Sequence, residues 1–189
     1  MSALINSCLE ACQEAYHPSD DGNYTLFFPQ NIVGVARSLK LEGQKYLQIA
    51  IAGSNDLLDW RDNFLWQETS HGFHYGWYQA YKKARKDIQV LLKHYPDLPL
   101  ILTGHSAGAA IIAIAACVLS RYKKIKLVTF AAPRFCTEKN LKRLAKCERI
   151  AIAHWLDPVV YVPFNFELLP VQREWWWGNP HQLPVISNQ

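Results

Sequence analysis

The run Leu98-Pro-Leu-Ile-Leu-Thr-Gly104-His105-Ser106-Ala107-Gly108-Ala-Ala-Ile-Ile-Ala-Ile-Ala-Ala-Cys-Val-Leu-Ser120 decides the fold. Its first part, 98–103, is a short apolar stretch with strand character. Its last part, 109–120, is built from Ala and Ile in a pattern long enough for a buried helix. The pentapeptide between them has the form G-x-S-x-G, which acquires meaning only at a strand-to-helix junction. A tight junction of that kind leaves no room for side chains beside the serine. Glycine on either side lets the backbone bend and neighbouring elements approach, so that one hydroxyl stands at the end of a sheet.

Outward from this junction the elements alternate. Residues 3–16 read as an N-terminal helix, and Pro18-Ser-Asp-Asp-Gly22 as a turn. Three strands are expected at 24–28, 32–38 and 46–52, divided by Pro29-Gln-Asn31 and Glu42-Gly43, and their close spacing favours antiparallel pairing. Helical intervals follow over 77–95. Strands at 98–103, 126–132 and 149–155 then alternate with helical patterns at 107–120 and 138–146, a spacing that calls for parallel crossovers. The expected architecture is α/β: one domain over residues 1–189, with a mixed, mostly parallel central sheet flanked by helices. Chemistry is expected outside the C-terminal ends of the strands.

With 189 residues, 50% of them hydrophobic and 19% charged, the chain can bury one substantial core. The formal net charge of +4 is dispersed except for Lys82, Lys83, Arg85 and Lys86. Those four alternate with Ala80, Tyr81, Ala84 and Ile88, so they read as the solvated face of a helix, with weak attraction to an anionic lipid surface as the other reading. No basic tract interleaved with aromatic residues suggests a nucleic-acid partner. No run is long enough to cross a membrane. Residues 1–17 carry Glu10 and Glu14 and lack the basic start of a leader peptide. The five cysteines, Cys8, Cys12, Cys117, Cys136 and Cys147, are odd in number and form no C-x-x-C pair. Together these features point to a cytoplasmic setting, with export lacking an N-terminal signal as the alternative.

A serine hydroxyl is a poor nucleophile until a base removes its proton and a carboxylate orients that base. On α/β-hydrolase topologies the chain order is Ser, acid, His. Downstream of Ser106 the only aspartate is Asp157, at the end of the strand expected over 149–155. Its other reading is a turn aspartate before Pro158. Of the two downstream histidines, His154 lies inside the strand pattern, whereas His181 sits in the turn-rich loop Gly178-Asn-Pro-His-Gln-Leu-Pro184 and is the better base. His105, within the turn, reads as a packing neighbour of the serine. The oxyanion of a tetrahedral intermediate needs two N–H donors. Ala107 supplies one at the start of the following helix, where amides lack intrahelical acceptors. Ser54, after the strand that ends Ile49-Ala-Ile-Ala-Gly53, is the candidate for the second.

Four blocks extend the pattern: Gly53-Ser54-x4-Asp59-Trp60-x2-Asn63-Phe64, His74-Tyr-Gly76-Trp77-Tyr-Gln-Ala80-Tyr81, Thr129-Phe-Ala-Ala-Pro133-Arg134 and Asp157-Pro-Val-Val-Tyr-Val-Pro163. In order and content they resemble the blocks of the class 3 lipases, the fungal-type triacylglycerol lipase family. Ala131 stands where that family usually has glycine, and Val160 replaces a proline. The resemblance implies an α/β-hydrolase fold and carboxylic-ester hydrolysis. It assigns Ser106, Asp157 and His181 to the triad and Ser54 and Ala107 to the oxyanion hole, with no metal or organic cofactor. The family's lid lies in the neighbourhood of Leu57, Leu58, Trp60, Phe64, Leu65 and Trp66. Trp175, Trp176 and Trp177 suit either a lipid interface or packing over the sheet edge. The expected substrate is a lipid acyl ester. The alternatives are a small soluble ester or thioester, and a catalytically silent relative that binds lipid or a protein partner.

Overall fold

Alternation along the central strands decides which helix packs on which face of the sheet. In the computed structural model, which describes residues 2–19, 25–27, 33–53, 67–174 and 179–184, the sheet has seven strands. They are β1 (Thr25–Phe27), β2 (Gly34–Leu41), β3 (Gln44–Ile51), β4 (Leu100–His105), β5 (Ile125–Phe130), β6 (Glu148–His154) and β7 (Gln172–Glu174). Their spatial order is their chain order. Pairing is antiparallel from β1 to β3 and parallel from β3 to β7. The antiparallel start and parallel centre agree with the sequence reading.

The β2–β3 hairpin closes through Glu42 and Gly43, both at positive φ (51° and 85°), so the strands run right up to a two-residue turn. Such turns match the right-handed twist of paired strands, which is why β2 extends beyond the Ser38 boundary expected from sequence. β7 was not foreseen. Its three residues, Gln172, Arg173 and Glu174, carry no apolar signal, and only pairing with β6 makes them a strand.

Leu100 and Leu102 on β4 face one core, shared with α2 (Tyr75–His94) and α3 (Ala107–Leu119), whereas Ile101 faces a second core under α1 (Ala3–Tyr16). α2 buries Trp77, Ala80, Tyr81, Ala84 and Ile88 along one stripe, and Lys82, Lys83, Arg85 and Lys86 are exposed as expected of a solvated face. α3 is buried on all sides from Ala107 to Cys117, as its unbroken Ala/Ile composition requires. On the other face α1 buries Leu4, Cys8, Leu9 and Cys12 against Ile101, Val128, Phe130 and Ile152. The pattern over 138–146 forms only a short helix, α4 (Glu138–Leu141), which tightens into a 3-10 turn over Lys142–Lys146. Among the described residues no helix is long and apolar enough to cross a membrane.

Candidate active site

β4 ends at His105, and the chain enters α3 through Ser106 at φ 53°, ψ −125°. A positive φ at a non-glycine residue costs on the order of 1–3 kcal/mol and persists only where the surroundings fix it. Here the Ser106 N–H is held by the Phe130 carbonyl at 2.9 Å. The flanking glycines explain the rest of the turn. A Cβ on Gly104 would stand 2.7 Å from the Gly108 carbonyl carbon, and one on Gly108 would stand 2.1 Å from the Ile51 carbonyl oxygen. The first glycine lets the helix start fold over the strand; the second lets it close against β3.

Ser106 is 1% exposed, and its Oγ lies 2.8 Å from His181 Nε2. On the opposite side of the imidazole, Nδ1 lies 3.1 and 3.0 Å from the two carboxylate oxygens of Asp157. A carboxylate only accepts, so the ring proton resides on Nδ1 and Nε2 is left to accept from the serine hydroxyl. Asp157 is fully buried. It follows β6 in a tight turn, with its N–H on the His154 carbonyl, and its Oδ1 also accepts the Val159 N–H at 2.9 Å. Asp157 thus makes the turn contact to Val159 and faces the His181 ring at the same time. His154 is 2% exposed, and its Nδ1 accepts the Leu156 N–H at 3.1 Å, which shapes the turn that aims Asp157. It is remote in role from a mobile base.

The His181 main chain is anchored too. Its N–H donates to Asn179 Oδ1 at 3.0 Å and its carbonyl accepts from His105 Nε2 at 2.8 Å. Ala107 opens α3, and its N–H lies in the first turn, where the Ser106 carbonyl already receives the Ala109 and Ala110 amides. Of the expected site residues the structure therefore brings together Ser106, Asp157, His181 and Ala107. Ser54 lies outside the described residues, as do Leu57, Leu58, Trp60, Phe64, Leu65, Trp66 and the three tryptophans 175–177. Sequence reasoning missed Tyr16, whose Oη reaches His105 Nδ1 at 2.7 Å and receives the Gly53 N–H at 2.9 Å. Eighty-nine residues separate Tyr16 from His105, so no local pattern could have exposed the contact.

Ala131 has a φ of 51°, with its N–H on the Ile152 carbonyl at 2.8 Å. That is the left-handed region, which explains why glycine is the expected residue there; alanine adopts it at a cost of about 1–2 kcal/mol.

Two buried histidines give the site's surroundings a pH signature. Burial holds His74 and His105 each down to about 4 from an ordinary 6.5, with the neighbouring His181 adding to the effect at His105. Between pH 6.5 and 4 the unfolded chain binds protons at these positions that the folded chain does not. Stability is therefore expected to fall as pH falls through that window, by about 1.4 kcal/mol per pH unit for each histidine. Urea midpoints measured across the window should show a shallower fall in His105→Gln than in the wild type. An unchanged slope would contradict the assignment.

A serine in a strand-to-helix elbow after β4, a buried carboxylate after β6 and a histidine on a separate loop beyond β7 have the arrangement of the α/β-hydrolase fold. Residues 48–167 match the profile of the lipase (class 3) family, and the chain belongs to that family. It is 28% identical over 154 residues to the secreted mono- and diacylglycerol lipase A of Penicillium cyclopium and to that of Penicillium camembertii. Those alignments cover 74% of this chain and 50% of each relative, so the chain spans about half the length of the curated relatives it matches. The fold is similar to lipase II from Rhizopus niveus (TM-score 0.68, 18% identity, covering 85% of this chain and 73% of that one). It is also similar to the mono- and diacylglycerol lipase from Aspergillus oryzae (TM-score 0.64, 19% identity, covering 86% and 75%).

The cytoplasmic setting expected from sequence is overturned by these relatives, both of which are secreted proteins by name. The expectation leaned on residues 1–17 and on unpaired cysteines, and the environment of the cysteines removes the force of the second ground. All five are buried. Desolvation raises the Cys8 thiol to about 12 and Cys147 to about 11, and it pushes Cys12 higher still. The thiolate is the reactive form, so thiols held this way need no reducing compartment.

Proposed function

We propose that this chain hydrolyses carboxylic esters of lipids through a covalent acyl-enzyme, with Ser106 as nucleophile, His181 as general base and acid, and Asp157 as the orienting carboxylate. The observation that carries the reading is the unbroken hydrogen-bonded line Ser106 Oγ, His181 Nε2, His181 Nδ1, Asp157. His181 takes the Ser106 proton as Oγ attacks the ester carbonyl, and the buried Asp157 stabilises the imidazolium that forms. The Ala107 amide, with Ser54 as second donor, receives the oxyanion. Collapse expels the alcohol, protonated by His181. Water activated by the same imidazole then attacks the acyl carbonyl and frees the acid and the serine. The steps close on these side chains, with no metal or organic cofactor.

A lipid substrate is favoured by the surface beside the acid. Trp155 and Leu156 immediately precede Asp157 and are 60% and 64% exposed, and Tyr161 and Phe164 follow on the same segment at 41% and 66%. Large apolar side chains held in water at the sheet end that bears the site suit an apolar substrate or its interface. The test is turnover of p-nitrophenyl esters from short to long acyl chains, followed by emulsified mono- and diacylglycerols. The lipid reading expects activity to rise with chain length and to persist on the emulsions. Activity confined to short soluble esters would move the assignment to a small-ester esterase, and no turnover with any ester would move it to a silent binding relative.

A further inference from the structure

Four polar groups from four distant segments form one directed hydrogen-bond chain behind the triad. Tyr16 is the last residue of α1, His105 the last of β4, Gly53 follows β3, and His181 lies on the C-terminal loop. The directions are fixed by chemistry. The His181 carbonyl can only accept, so His105 Nε2 carries the ring proton and donates at 2.8 Å. His105 is neutral, because burial disfavours its charged form. Its Nδ1 is then an acceptor, and the Tyr16 hydroxyl donates to it at 2.7 Å. The Tyr16 oxygen in turn accepts the Gly53 N–H at 2.9 Å. Burial raises the Tyr16 hydroxyl to about 12, which keeps that proton in place. The fit around Gly53 is close: a Cβ there would stand 2.4 Å from Tyr16 Oη and 3.1 Å from Ser106 Cβ.

From this arrangement we propose that Tyr16 and His105 are positioning residues that clamp the loop bearing His181 to Gly53 at the end of β3. The proposal rests on the hydrolase reading for its catalytic consequence. Asp157 fixes the His181 ring at Nδ1, but a single hydrogen bond does not prevent the loop from carrying Nε2 away from Ser106. Anchoring of the His181 carbonyl by His105 removes that freedom. At the other end of the chain, Tyr16 holds the Gly53 N–H and so fixes the Ala52–Gly53 peptide just after β3. α1 therefore does more than cover the second face of the sheet. Its C-terminus delivers a hydroxyl that couples the end of β3 at Gly53 to His105 and, through it, to the His181 loop.

Two amide substitutions separate the arms. In His105→Gln the side-chain amide reaches the place of Nε2 and can still donate to the His181 carbonyl. In His105→Asn the shorter amide reaches only the place of Nδ1, so the bond to the loop is lost. Misplacement of a catalytic group by about 1 Å can cost about a hundredfold. The expected kcat is therefore about a hundredfold lower in His105→Asn and within about threefold of wild type in His105→Gln, while Tyr16→Phe loses about tenfold with KM changed less than about twofold. Amide hydrogen exchange over residues 179–184 supplies a readout independent of turnover: faster in His105→Asn, wild-type in His105→Gln. Equal behaviour of the two His105 variants in exchange, or an unchanged kcat in Tyr16→Phe, would overturn the proposal. A wild-type protein that turns over no ester sinks the hydrolase reading instead, and the exchange comparison still decides the clamp.

Discussion

Ser106→Ala and His181→Ala are each expected to reduce kcat for ester hydrolysis on the order of 10⁶-fold, and the double variant is expected to lose no more than either. In the proposed mechanism the two residues perform one act. The proton that leaves Ser106 Oγ has His181 Nε2, 2.8 Å away, as its acceptor. Without the imidazole the hydroxyl remains a weak nucleophile, and without the hydroxyl the imidazole has nothing to activate. What survives in either variant is the contribution of substrate binding and the oxyanion donors, on the order of 10³–10⁴ over water. Steady-state kinetics on one long-chain ester, with each variant checked for folding by circular dichroism, gives the comparison. Losses that multiply in the double variant would mean that the two side chains act separately.

Asp157→Asn is expected to cost about 10⁴-fold in kcat with the fold intact. The substitution preserves volume at a fully buried position and leaves an oxygen for the Val159 N–H. What changes is the proton. The asparagine amide can present an N–H to His181 Nδ1, which then becomes an acceptor, so the ring proton moves to Nε2 and points at Ser106. The base is then in the wrong tautomer for its task. Because the geometry persists, KM should move little while kcat collapses. Wild-type kcat in Asp157→Asn would assign the carboxylate to the turn alone.

The legibility of this site in the sequence has a physical pattern. Gly104, Ser106, Gly108 and Ala107 were readable because a strand-to-helix elbow is local: the steric demand of the 2.1 Å and 2.7 Å approaches falls on glycines adjacent to the serine itself. That Asp157 and His181 meet Ser106 was readable at one remove, from an aspartate at a strand end and a histidine in a turn-rich loop. The helices and parallel strands were legible for the same reason, since their hydrophobic periods are set by burial on both sides of the sheet. β7 was not, because three polar residues at a sheet edge gain strand geometry from their neighbour rather than from their own composition. The second half of the 138–146 pattern was read as α-helix but winds as a 3-10 turn, a choice of hydrogen-bond length that periodicity over five residues does not encode. Tyr16 was invisible because its role exists only once α1 and β4 are packed together. The cysteine part of the compartment reading failed because cysteine count says nothing about whether each thiol is reachable.

If Ser106 is an activated nucleophile, as proposed, it can be captured covalently. Incubation of the protein with a fluorophosphonate, followed by peptide mass spectrometry, locates any adduct by residue. One adduct is expected, on Ser106, formed rapidly in the wild type and lost in His181→Ala. A chain that takes no label, or takes it at another serine, would contradict it.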